Sequence, residues 1–302
     1  MGNYVNKIAR VAYKLYTWHP HPPFFYGWLV LGTAATGAFI AAGVAQTVLG
    51  GVQDLIAEDM GWNRKTIALA ATLGTWVSGL TMPFIGKLVD RFGPRWMMTF
   101  AALFVGIGIV GLSGSQNALQ FFFVYVAVRS IAGPNLQNLI PRTVAVNFFQ
   151  RRRNLAIGIT SLNRIFGESA NIQIITTISS AYSWRVAYRS LGLLAIPLSL
   201  PIWLLMRHKP EDVGQSQDGN NSEDMTGHSI SVENLSNHWS VREILSLPSF
   251  WFILTGKFIA VSVTSMVIFQ LVPYLVDGGV SQAAAAGALV LGNILGGVSV
   301  PI

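Results

Sequence analysis

Four polar residues recur on one helical face near the middle of the chain: Thr160, Arg164, Glu168 and Asn171, spaced four, four and three apart. They interrupt an otherwise apolar run, about Asn154 to Ala181, long enough to cross the ~30 Å hydrocarbon core of a bilayer. Arg164 stands ten residues into that run and Arg129 ten residues into the preceding one, so both lie about 15 Å deep at the helical rise. Arginines at such depth face a bundle interior, a partner or a watery cavity. Glu168 can neutralise one of them. The other is then an unmatched positive charge near the midplane, suited to hold a carboxylate or another small anion arriving from water. A purely structural ion pair is the competing account, and the spacing leaves both open.

The composition explains why such charges are informative. Hydrophobic residues make up 52% of the chain and charged ones only 11%, with a mean hydropathy of +0.49, which places it among integral membrane proteins. The net charge of +7 does not point to nucleic acid, because the basic residues are scattered over short loops and form no basic, aromatic-interleaved face. Cysteine is absent, which excludes disulfides, thiolate metal sites and cysteine nucleophiles. His19 and His21 flank a proline with no further ligand nearby, so no metal is expected. Gly106, Gly108 and Gly111 spell a dinucleotide-like pattern, but inside an apolar run with no strand before it, so no cofactor is expected either. No histidine falls within a span and no nucleophile with its base is visible, so the chain does not read as an enzyme.

The periodicity predicts an all-α membrane bundle. The first span runs from about Tyr26 to Leu55 and leaves through an acidic loop with Asp54, Glu58 and Asp59; the second and third cover about Thr66–Ile85 and Trp96–Leu112. Between them lies the tight basic turn Gly86 to Arg95. The fourth span, about Leu119–Phe149, must kink at Gly133-Pro134, because proline removes a helical hydrogen bond. The fifth holds the polar face, and the sixth covers about Val186–Leu205. Gln215 to Asn237 reads as a disordered polar linker, with sequons at Asn220 and Asn234, and Ser240 to Glu243 as a capping box opening a short interfacial helix. The seventh span is about Phe250–Val276, with Lys257 able to snorkel toward the surface, and the eighth about Ala283–Ile302. Lys87, Arg91 and Arg95 in one turn, and Arg151, Arg152 and Arg153 two spans later, put these loops and the N-terminus on the cytoplasmic side.

Within the basic turn, Gly86, Leu88, Asp90, Arg91, Gly93 and Arg95 resemble the loop signature between the second and third helices of major facilitator superfamily transporters, with Pro94 where the family usually has another basic residue. Tyr26 to Trp28, the segment from Asp54 to Arg64, the junction Pro141 to Ile159, and Arg207 to Gly214 resemble the monocarboxylate-transporter-like and oxalate/formate-antiporter-like branch. Arg129 and Gly133 partly resemble the fourth-helix motif, whose further glycine is Asn135 here.

The resemblance implies two six-helix halves closing alternately on a midplane site. On that reading residues 1–23 are a cytoplasmic lead, 24–206 the first half, 207–249 a cytoplasmic linker with a short interfacial helix, and 250–302 the first two helices of the second half. The chain is then a C-terminally truncated member, with a separately encoded remainder as one way to complete it. The implied activity is secondary active transport of a small organic anion such as a monocarboxylate, by proton coupling or exchange, in the plasma (inner) membrane. Arg129, Arg164, Glu168, Asn171, Gln270 and Tyr274 are the expected substrate-binding or coupling residues. Gly86, Asp90, Arg91, Gly93 and Arg95 form the expected conformational-switch loop, with Asp90 latching one helix to another. The alternatives are efflux of amphipathic drugs, or a non-transporting membrane receptor or scaffold.

Overall fold

A computed structural model describes residues 20, 22–219 and 241–298. The described residues are almost entirely helical, and none lies in a strand. The N-terminal lead up to Trp18, the sequons at Asn220 and Asn234, and Ser240 lie outside the described residues.

The first span is two helices. Helix α1, Tyr26–Ala42, and helix α2, Gln46–Met60, are separated by a short break at Gly43–Ala45, and together they reach well past the expected end at Leu55. The acidic residues assigned to an outer loop therefore belong to α2. Asp54 is buried in it, because Arg64 at the start of the next helix supplies a countercharge, with Nε 2.6 Å from the carboxylate.

Helix α3, Arg64–Ser113, holds both the second and third spans. Gly74 and Gly108 lie against neighbouring residues of the next helix, Arg129 and Val128. An unbroken helix would hold these two glycines about 50 Å apart. The chain therefore folds back on itself. The reversal is at Gly93, whose φ of 79° and ψ of 158° suit only glycine, and Pro94 then starts the returning arm. The expected loop from Gly86 is thus the last turns of a helix, with a single residue making the bend.

The fourth span is α4, Ala118–Ala132, a π-helical segment Gly133–Asn138, and α5, Leu139–Phe148. The kink expected at Gly133-Pro134 takes this widened form, and its loose backbone groups find partners. Pro134 has no N–H for the Ser130 carbonyl, which instead accepts from the Thr81 hydroxyl of α3 at 3.1 Å. Asn135 donates its side-chain amide to Ile131 (2.9 Å), and Asn138 donates to Gly133 (3.1 Å).

Helices α6, Arg153–Ala181, and α7, Trp184–Leu205, match the fifth and sixth spans. Gln215 to Gly219 departs from the expected disordered linker. Gln215 accepts from the Tyr26 N–H at 2.9 Å, and the Asp218 carboxylate accepts from the N–H groups of Gln150 and Arg151, so this stretch is fastened to the end of the bundle. A short helix, α8, Val241–Ser246, precedes the seventh and eighth spans, α9, Pro248–Asp277, and α10, Gln282–Val298. Among the described residues, Tyr26–Met60, Arg64–Ser113, Trp184–Leu205 and Pro248–Asp277 are long and apolar enough to cross a membrane, and the second of these does so twice through its fold-back. The fourth span is divided into pieces of 15, 6 and 10 residues, each too short to cross by itself, and the fifth is less apolar because it carries the polar face of the candidate site.

Candidate functional site

The break in the first span is the centre around which the charged residues gather. At a helix break, carbonyls lose their regular donors, and inside a membrane bundle other protein groups must replace them. The Phe39 carbonyl would take the Gly43 N–H in an unbroken helix, but that N–H turns to Ala41. Asn171 of α6 donates to Phe39 in its place at 3.0 Å, and to Gly167 on its own helix at 2.9 Å. The Val44 carbonyl accepts from the Tyr125 hydroxyl of α4 at 3.1 Å. The fourth and fifth spans thus stitch the broken backbone from two sides.

Just past the break, the Thr47 hydroxyl donates to Oε2 of Glu168 at 2.8 Å. The other carboxylate oxygen faces Arg164 Nη1 at 3.3 Å, one helical turn away on α6. Glu168 is only 7% exposed, whereas the Arg164 side chain is 45% exposed, so the pair has one end in the protein and one end open. Thr160 lies a turn further along the same face, buried, with its hydroxyl bonded to the Ile157 carbonyl.

Arg129 is held differently. Its stem lies on Gly74 of α3, where an added Cβ would meet the arginine carbons at 3.1 to 3.2 Å. Its Nη1 donates to Oε1 of Gln137 at 3.1 Å, a neutral partner on the π-helical segment. Its Nε is buried and makes no hydrogen bond among the described residues, and neither does the side-chain nitrogen of Gln137. Among the described residues, the ion pair of Glu168 is with Arg164, and Arg129 has no carboxylate. Of the two deep arginines, the one without a carboxylate among the described residues is therefore Arg129, on the helix widened by Pro134.

The structure brings Arg164, Glu168 and Asn171 together with Thr47 and Tyr125, two residues that the spacing argument missed. Thr47 carried no signal in the sequence, because only the break brings it opposite Glu168. Of the two expected residues on α9, Gln270 borders a cleft between α3 and α9, while Tyr274 is 76% exposed and lies outside that cleft.

The expected switch loop is also rearranged. Asp90 and Arg91 are exposed, and Asp90 makes no hydrogen bond or ion pair among the described residues. The guanidinium of Arg91 sits over Phe92, 5.4 Å from the ring centroid, instead of turning to Asp90. Arg95 makes the cross-helix contact in this conformation. It is buried, donates its Nε to the Trp203 carbonyl at 2.5 Å and lies over the Trp203 ring at 4.7 Å, tying the third span to the sixth. Gly86 borders Leu139 of α5 at ordinary contact distance.

Comparison with known proteins agrees with this architecture. The chain is 26% identical over 205 residues to monocarboxylate transporter 14 of Mus musculus, covering 67% of this chain and 40% of that protein. It is 23% identical over 239 residues to the oxalate:formate antiporter of Oxalobacter formigenes, covering 78% and 52% respectively. With human monocarboxylate transporter 2 it shares 22% identity over 284 residues, covering 89% and 57%. The chain thus spans about half the length of these curated relatives. Residues 16–302 match the Major Facilitator Superfamily domain, well over half of the chain, and the protein belongs to that superfamily.

Proposed function

We propose that the protein is a membrane transporter that carries a small organic anion, by proton coupling or exchange, between alternately closed halves. The observation that carries this reading is the charge distribution around the broken first span. Among the described residues, Arg164 and Thr47 satisfy Glu168, and Arg129 keeps only the neutral Gln137. A guanidinium with an unused donor and no carboxylate, at membrane depth, favours an anion far more than a cation or a neutral amphiphile. The names of the relatives, which include monocarboxylate transporters and an oxalate:formate antiporter, support the same substrate class. In this reading residues 24–206 form one half, 207–249 the cytoplasmic linker and 250–302 the start of the second half. The N-terminus is cytoplasmic and the membrane is the plasma (inner) membrane. Arg129 meets the substrate, Glu168 carries the coupling proton where coupling operates, and the segment Gly86 to Arg95 governs the switch between states.

The test is uptake of radiolabelled lactate and of oxalate by vesicles bearing the protein. Arg129→Gln should lower uptake by about tenfold to a hundredfold, the loss expected for one hydrogen-bonded charge contact, with Arg129→Lys intermediate. Wild-type rates in Arg129→Gln would remove the assignment.

A further inference from the structure

The pairing of Arg129 with Gln137 leaves chemistry unspent. A guanidinium offers five N–H donors and no acceptor, while a carboxamide offers one acceptor oxygen and two N–H donors. Arg129 Nη1 donates to Gln137 Oε1 at 3.1 Å, so the one acceptor of the amide faces the arginine. The amide nitrogen is left as a pure donor. It is buried, as is Nε of Arg129, and neither makes a hydrogen bond among the described residues. Gln137 as a whole is only 4% exposed. Two donors cannot satisfy each other, so the pair calls for an acceptor, and a buried donor without one is costly.

The surroundings supply no carboxylate. The π-helical segment that carries Gln137 packs against α1, α3, α4 and α5, with Leu136 on Gly37 of α1 and Gly133 against Ser78 of α3. Those four helices contain a single carboxylate, Asp90, which is exposed at the basic turn. On α6, Glu168 is engaged by Arg164 and Thr47. Position 137 therefore decides whether the charge of Arg129 is balanced. Glutamate there would accept the same hydrogen bond and cancel the charge, and it differs from glutamine by one group, O⁻ for NH₂. An arginine held only to brace the bundle would be held more firmly that way, since a buried charge is costly until it is paired.

We infer that Gln137 is a specificity-determining residue of the Arg129 site. Its oxygen orients the guanidinium, its neutrality leaves the charge of Arg129 to the guest, and its N–H groups offer that guest a second contact. The guest so selected is an anion with one oxygen for Arg129 and another for Gln137. The inference rests on the proposal that Arg129 meets an organic anion, and it adds the residue that sets which charge the site accepts. With glutamate at 137 the pair becomes neutral, and the preference for an anion over its uncharged analogue disappears.

The probes are lactate and its uncharged analogue lactamide, titrated calorimetrically into the purified protein in nanodiscs of zwitterionic lipid. The wild type should bind lactate more tightly than lactamide by about tenfold or more, the range of one charged hydrogen bond. Gln137→Glu should erase that preference while its thermal midpoint holds or rises, because the new carboxylate pairs with Arg129. Gln137→Leu should act in the opposite sense: the preference survives, both ligands weaken by about fivefold through the lost amide contact, and the midpoint falls. A partner that merely braces Arg129 would let glutamate serve as well as glutamine. A wild-type preference for lactate in Gln137→Glu, with that of Arg129→Gln lost, would therefore overturn the role of Gln137 and leave the anion site standing. Lactate bound no better by the wild type than by Arg129→Gln would remove the anion site itself, and this inference with it, so the two failures are distinguishable.

Discussion

The first span meets α6 along one seam and α9 along another. In the first seam Gly167 carries no side chain, so α6 approaches the backbone of Ala38 and Phe39 to within about the width of a Cβ. Asn171 and Glu168 then bond across it from buried positions. The second seam begins in the same way. Gly50 admits the backbone of Phe269, and Gln53 donates to the Phe269 carbonyl at 3.3 Å. At its end Arg64 grips Asp277 with two nitrogens, at 2.9 and 3.0 Å, both side chains being about half exposed. Toward Lys257 the same helix parts from α3 and leaves the cleft. One seam is thus fastened along its length by buried groups. The other is closed at one end by solvent-facing charges and open further along. Buried polar contacts are expensive to break singly, whereas exposed ion pairs are exchanged for water at little cost, so the second seam is the less costly of the two to part.

The strongest way to break this contrast is to crowd the buried seam. Gly167→Leu puts a side chain where a Cβ alone would lie 3.2 Å from the Ala38 carbonyl and the Phe39 backbone. Neither backbone atom can rotate away, so overpacking should destabilise the protein by about 3 kcal/mol, and the thermal midpoint should fall by about 10 °C. Gly167→Ala should fall between this and the wild type. A midpoint unchanged in Gly167→Leu would mean that α1 and α6 can separate without cost, and the contrast would fail.

The seams differ in how far the sequence discloses them. The polar face of α6 was legible, because a period of four, four and three in an apolar run admits one arrangement, and the limits of α6 and α7 followed from apolar length. The kink at Pro134 was legible for the same local reason, since a missing N–H is a property of the residue itself. The break at Gly43–Ala45 was not: no proline marks it, and it persists because Asn171 and Tyr125, 132 and 81 positions away in sequence from their partners, satisfy the freed carbonyls. The identity of the unmatched arginine was equally hidden. Spacing alone offered Glu168 to either Arg164 or Arg129, and the side chain one turn away prevailed. Asp54 has the character of a loop residue in sequence and is buried only through its pairing with Arg64, and the cations around Asp90 suggest a latch although Arg91 lies over the Phe92 ring.

A smaller effect, on function more than on stability, is expected within the buried seam. In Glu168→Gln the amide oxygen can still accept from Thr47 or Arg164, and Arg164 is open enough to be hydrated, so the thermal midpoint should move by less than about 4 °C. On the proposed role of Glu168, any acceleration of uptake by an inward proton gradient should nevertheless be lost, because the site no longer has a carboxylate to protonate. Uptake that stays gradient-driven in Glu168→Gln would place the proton carrier elsewhere, and Glu168 would be a structural partner of Arg164 alone.

The mildest perturbation sharpens the other side of the comparison. Asp277→Asn removes the charge that Arg64 holds with two nitrogens, but leaves Arg64 its contact with the buried Asp54. Stability should therefore change little, since an exposed pair contributes modestly. What should change is how often this end of the seam opens. The chain has no cysteine, so Val272→Cys, on the buried face of α9, gives a single reporter without background labelling. A membrane-impermeant maleimide, applied from the face opposite the basic loops, should label that reporter several times faster when Asp277→Asn is added. High salt should raise labelling in the parent and make little difference in the double variant, because screening and charge removal act on the same pair. Equal labelling rates with and without Asp277→Asn would mean that Gly50, Gln53 and Phe269 hold the seam shut by packing alone, and the charged end would then be a passive surface pair with no part in opening.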